Sequence, residues 1–224
     1  MAVRYVWTPP RARLEFTGYE IQRMAISVGA LTLAFVIAQF RGNFLSQPFP
    51  LEPWIIGAVS LAAFVAVITG FLCHELAHKI VATRHGLWAM FDSQLAFVLL
   101  GPLLALAIGF PMAAPGYVEV GARGADRRKI GQMALAGPLL NLLIGGATFV
   151  GFQVLAPSVL AYDMVWVGFL VLLNTSFVNL FLGTINLIPI PPLDGEKVAR
   201  WNVPVYLAVF VPTVMLLVFG FFFL

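Results

Sequence analysis

Stretches of about 20 apolar residues recur along this chain, and each is long enough as a helix to cross a hydrocarbon core roughly 30 Å thick. Six such runs cover about 24–40, 54–82, 93–113, 132–155, 164–188 and 204–224. Lipid offers the backbone no hydrogen-bond partner, so runs of this kind predict helices. The expected fold class is an all-α polytopic membrane protein with five to six transmembrane helices. Composition agrees, with 61% hydrophobic and only 10% charged residues, against roughly 25% charged in a soluble domain. The formal net charge of +3 comes from basic residues scattered around the apolar blocks. That pattern suits topology signals and speaks against a nucleic-acid partner. The single cysteine, Cys73, rules out an intrachain disulfide. Arg4, Arg11, Arg13, Glu15 and Glu20 interrupt the first twenty residues, so no cleavable leader is expected. The longest polar segment, Pro115 to Gln132, is too short for a domain of its own, and residues 1–224 read as one integral membrane domain.

Basic residues in short loops decide orientation. If all six runs cross, Arg4, Arg11, Arg13, Arg23, Lys79 and Arg84 fall on one side and Arg41, Arg123, Arg127, Arg128, Lys129, Lys197 and Arg200 on the other. That division is undecided. If 93–113 dips in and returns, only Arg41 stays outside. Gly101-Pro102, Gly109 and Pro111 also suit a broken path, although by themselves they read equally as a kinked helix. Charge favours a re-entrant segment with the N-terminus cytoplasmic. Gly-Tyr-Val-Glu-Val at 116–120 alternates as a short strand does, so 93–120 is expected to form a re-entrant or β-hairpin segment.

Near the end of the second run stands His74-Glu75-Leu76-Ala77-His78, an H-E-x-x-H pattern. Four residues make just over one helical turn, so both imidazoles project from one face and can meet one zinc ion. Glu75 lies about 100° further round, placed to act on a water rather than to ligate. Ionisable groups inside an apolar run are costly and mark function. A catalytic zinc usually takes three protein ligands, and the best third candidate is Asp194, after the proline-broken end of the fifth run. Asp194 also reads as an ordinary helix cap. It can reach the histidines only if the second and fifth runs end at the same face, which again requires 93–113 to re-enter.

These residues resemble the site-2 protease family of intramembrane zinc metalloproteases. The family's three motifs stand in order as His74 to His78, Gly137-Pro138-Leu139-Leu140-Asn141, and Asn186-Leu187-Ile188-Pro189-Ile190-Pro191-Pro192-Leu193-Asp194-Gly195. Ala136-Gly137-Pro138 and the Ala114-Pro115-Gly116 ahead of Tyr117 are similar to archaeal-type members. The resemblance covers roughly 54–200, the expected three-helix catalytic core. It implies one zinc ion held by His74, His78 and Asp194, with Glu75 as general base and Asn141, Asn186 and Gly137 supporting substrate or site. The implied activity is hydrolysis of peptide bonds within or near transmembrane segments, in a multi-pass protein of the cell membrane whose active-site end is cytoplasmic. Ala77 departs from the glycine many members carry, a small-for-small change. No PDZ or CBS module is expected.

The substrate must be locally unwound to expose its carbonyls, and 93–120 is expected to offer it an edge strand. Cys73 points to another face and reads as packing, His85 as an interfacial residue, and Asn174 and Asn179 as hydrogen-bonding groups between helices. Two other functions fit a membrane chain with His, Glu and Asp inside it: a metal-ion transporter, or a catalytically inactive scaffold. A transporter needs further polar positions along a pathway, and these are sparse.

Overall fold

The computed structural model describes residues 12–42, 49–111, 116–121, 125–159 and 164–222. Arg4, Arg11, Arg123 and the Ala114-Pro115 step lie outside them. Among the described residues, five stretches are long and apolar enough to cross a membrane: Gly18–Phe40, Pro53–Arg84, Arg127–Ser158, Met164–Asn186 and Val203–Phe221. The first is α1 (Gly18–Phe40). The second joins α2 (Pro53–Val67), a π-helical turn (Ile68–Leu72) and α3 (Cys73–Arg84). Then come β1 (Ala89–Asp92), α4 (Leu95–Ile108), β2 (Tyr117–Val120), α5 (Arg127–Leu155), α6 (Met164–Asn186), α7 (Asp194–Trp201) and α8 (Val203–Phe222). The protein is a multi-pass membrane protein.

The third apolar run does not cross. Its helix, α4, has 14 residues, about 21 Å at 1.5 Å per residue against a core of roughly 30 Å. The strands on either side of it pair antiparallel, Ala89 with Val120 and Asp92 with Tyr117. A chain that leaves from Asp92 and is back beside it at Tyr117 has returned to the face it left. Arg41, at the end of α1, donates to the carbonyl of Leu106 in the last turn of α4, one of the carbonyls that a helix end leaves open. The expected re-entrant segment is therefore present, but it begins earlier than 93. β1 lies at 89–92, in Ala-Met-Phe-Asp, whose composition suits a helix as well; only pairing with β2 makes it a strand.

Other boundaries moved for identifiable reasons. α1 begins at Gly18 because Thr17 and Glu20 form a reciprocal capping box, and α5 begins at Arg127 because Asp126 accepts from the Lys129 N–H. Glu20 and Lys79 are 2% and 1% exposed and form a buried ion pair, and Glu20 also accepts the Phe91 N–H of β1 at 2.9 Å. One carboxylate thus ties α1, α3 and the sheet together. Losing one partner of such a pair strands the other. Glu20→Ala should therefore lower stability by about 3–5 kcal/mol, and Glu20→Met with Lys79→Met should recover much of it. Unfolding in detergent checks both variants; an unchanged Glu20→Ala would contradict the pairing.

Packing sets up the site. Ala58 and Ala62 of α2 are buried in one cluster with Trp166 and Leu170 of α6, and Ala63 and Ala66 in the cluster shared with α1 and α6; small side chains let the backbones approach closely. The π turn then adds one residue to the helical register, about 100° of rotation. Beyond it the helix faces α5 rather than α6. Both neighbours hold the turn: Asn141 Nδ2 donates to the Gly70 carbonyl at 3.2 Å and Asn179 Nδ2 to Thr69 Oγ1 at 3.0 Å.

Candidate metal centre

Rotated by the π turn, α3 presents His74 and His78 toward α5 with their Nε2 atoms 2.9 Å apart. Asp194 comes from the first turn of α7, its Oδ2 3.4 Å from His74 Nε2 and 3.0 Å from His78 Nε2. Gly195 makes this approach possible, because a Cβ there would run into the Leu187 carbonyl at the end of α6. Asp194 is therefore no N-cap; Leu193 holds that position and Asp194 is free to face the histidines.

Three ligands set tetrahedrally around a zinc about 2.0–2.1 Å from each would stand about 3.3 Å apart. The observed separations of 2.9, 3.0 and 3.4 Å bracket that distance. His78 Nδ1 donates to the Met133 carbonyl on α5 at 2.8 Å, which leaves Nε2 with its lone pair for a metal. All three side chains are buried, and two imidazoles with one carboxylate form a donor set suited to zinc. Burial pushes the Asp194 carboxyl up, but the imidazoles of His78 and His74 outweigh it and hold the group well below the usual carboxylate range. Lys197 Nζ stands 3.3 Å from the other oxygen, Oδ1.

Glu75 does not join the three. It is buried at 9% exposure, and the Val118 N–H of β2 donates to its carboxylate. It stands between two cavities. One, about 460 Å³, is lined by His78, Asp194, Lys197, Tyr117 and Val118; the other, about 500 Å³, by His74, Phe71, Leu104, Phe181 and Ile185. Glu75, Gly116, Asn186 and Leu193 border both.

The supporting residues divide by position. Asn186 lines the cavities and bonds back to Leu182. Asn141 is fully buried on the π turn and borders neither cavity. Gly137 faces the imidazoles directly, since a Cβ there would sit 2.6 Å from His74 Nε2 and His78 Nε2. Cys73 is outside the metal-ligand group, and His85 caps the far end of α3. Asn179 does bond between helices, whereas Asn174 donates to Leu170 of its own helix. Sequence reasoning missed the Met133 carbonyl and the Val118 N–H, because backbone groups leave no trace in residue identity.

Relatives by sequence bear on the chemistry. A protein of Methanocaldococcus jannaschii named as a zinc metalloprotease is 33% identical over 199 residues, covering 89% of this chain and 93% of its own. One of Bacillus subtilis, named likewise, is 31% identical over 72% of this chain and 74% of its own. A third, Rip3 of Mycobacterium tuberculosis, also carries that name and is 29% identical over 66% of this chain but 31% of its own. No protein-family model and no solved structure matches the chain. With the ordered motifs, the converging donors and relatives matched along most of its length, the chain belongs to the site-2 protease family of zinc metalloproteases.

Proposed function

We propose that this metalloprotease is an intramembrane endopeptidase that cuts membrane-protein substrates within or near their transmembrane segments, working as one membrane-embedded domain. The observation that carries the reading is the meeting of Asp194, from the short α7, with His74 and His78 beside Glu75 on a helix long and apolar enough to cross a membrane. The site lies on the first two turns of α3, two to three turns into α5 and just past the end of α6, toward the end of the bundle where Arg84, Arg127, Arg128, Lys129, Lys197 and Arg200 stand, which on the positive-inside rule supports a cytoplasmic active-site end in the cell membrane.

When bound at His74, His78 and Asp194, zinc supplies the positive charge that acidifies a water and polarises the scissile carbonyl. Glu75 takes the proton of the attacking water on its carboxylate and returns it to the leaving amine nitrogen. The Val118 N–H orients that carboxylate. Substrate enters extended, since a helical segment keeps its carbonyls in internal hydrogen bonds, and lies along β2, whose Tyr117 and Val118 border the cavity.

The test is zinc content and cleavage of a panel of model transmembrane substrates in detergent. One zinc per chain is expected, with cleavage abolished by chelation and restored by zinc. A chain that holds zinc, cuts none of the panel and carries zinc across proteoliposomes would replace this reading with transport.

A further inference from the structure

The 500 Å³ cavity beside Glu75 lacks the lysine and aspartate that line its neighbour. Its walls are Phe97, Leu100 and Leu104 from α4 and Phe181, Leu182 and Ile185 from α6. His74, Glu75 and Asn186 also line it, so whatever fills it adjoins the reacting centre. The cavity on the other side of Glu75 adds Lys197, His78 and Asp194 to a lining that includes Val118, Met133 and Pro192, so a charged group there has partners that the first chamber lacks. We propose that the apolar chamber is a specificity pocket that takes one large apolar side chain, Leu or Phe in kind, from a residue flanking the scissile bond. The assignment rests on the protease reading above.

Three observations support that occupant. The volume, about 500 Å³, has ample room for a whole Leu or Phe side chain. Apart from His74, Glu75 and Asn186, every side chain lining the chamber is apolar, so a substrate Asp or Lys seated against the α4 and α6 walls would lose its hydration without a partner. The pocket is also preformed on one side: the Phe181 ring stacks on Phe177 with centroids 5.7 Å apart and meets the edge of Phe110 at 5.5 Å. Held between two rings, Phe181 keeps its place whether or not the chamber is filled. The two sides of the scissile bond therefore meet different surroundings, and selectivity for apolar bulk belongs to one flanking position alone.

The experiment maps the cut in a model transmembrane substrate by mass spectrometry, then places Ala, Leu, Phe or Asp at each flanking position. kcat/KM is measured for the wild type, Ile185→Trp, which narrows the chamber, and Leu104→Ala, which enlarges it, with zinc content confirmed for each. In the wild type, Leu and Phe should exceed Ala by about tenfold or more at one position, as expected of a pocket reading apolar size, and Asp there should block cleavage. The Phe-to-Ala ratio should fall about tenfold in Ile185→Trp and rise in Leu104→Ala. Equal ratios in all three proteins, or an effect of lipid chain length that is the same for every substrate, would overturn the pocket and leave the protease intact; the latter would assign the chamber to an acyl chain. A zinc-loaded wild type that cuts nothing overturns the protease reading and the pocket with it.

Discussion

Glu75→Gln is expected to lower kcat by about 10²–10⁴ while leaving one zinc per chain, the span that a general acid–base group contributes. Glutamine matches glutamate in shape, and its side-chain carbonyl can still accept the Val118 N–H. It cannot take a proton from water. Because Glu75 stands outside the group formed by His74, His78 and Asp194, its loss leaves all three donors in place. Asp194→Ala gives the opposite pattern: the carboxylate oxygen within 3.4 Å of both imidazoles is gone, and metal should be lost on dialysis along with cleavage. Zinc analysis beside single-turnover cleavage separates the two. A Glu75→Gln protein as active as the wild type would remove Glu75 from the chemistry.

The grouping of His74, His78 and Asp194, with Glu75 outside it, was legible in the sequence because it depends on side-chain type and spacing. Two histidines four apart on a helix share a face whatever surrounds them, and the re-entrant path follows from where Arg127, Arg128, Lys129, Lys197 and Arg200 must lie. The supports were not legible for the same physical reason that they work. The Met133 carbonyl and the Val118 N–H are backbone groups, available at nearly every residue, and only tertiary structure selects these two. The π turn at Ile68–Leu72 likewise has no clear local signal in an apolar run; Asn141 and Asn179, distant in sequence, stabilise it from α5 and α6. β1 needs β2, which lies on the far side of α4. The buried Glu20–Lys79 pair looked in the sequence like two charges flanking apolar runs, since nothing local shows that α1 and α3 bring them together.

Gly137→Ala, a change of one methyl group, is expected to abolish both zinc binding and cleavage while the fold survives. The added Cβ would stand 2.6 Å from His74 Cε1, His74 Nε2 and His78 Nε2, so the imidazoles or α5 must shift. Neither can yield easily. α5 is held on one side of Gly137 by the Met133 carbonyl, which accepts a hydrogen bond from His78 Nδ1, and on the other by Asn141, bonded to Gly70. Further along, Gly145 fits so tightly against α6 that a Cβ there would approach Leu180 Cγ to 2.8 Å. The histidines must therefore turn away, and their donors cease to converge with Asp194. Gly146→Ala is the matching control on the same helix: its Cβ would meet only Leu216 Cδ1, at an ordinary 3.6 Å. Replacing a helical glycine by alanine gains about 1 kcal/mol where space allows, so this variant should keep zinc and activity and unfold no earlier than the wild type. Loss of zinc in Gly137→Ala alone, with both proteins folded, would place the backbone of α5 against the metal site; a zinc-loaded, active Gly137→Ala would show that the imidazoles stand further from α5 than the structure has them.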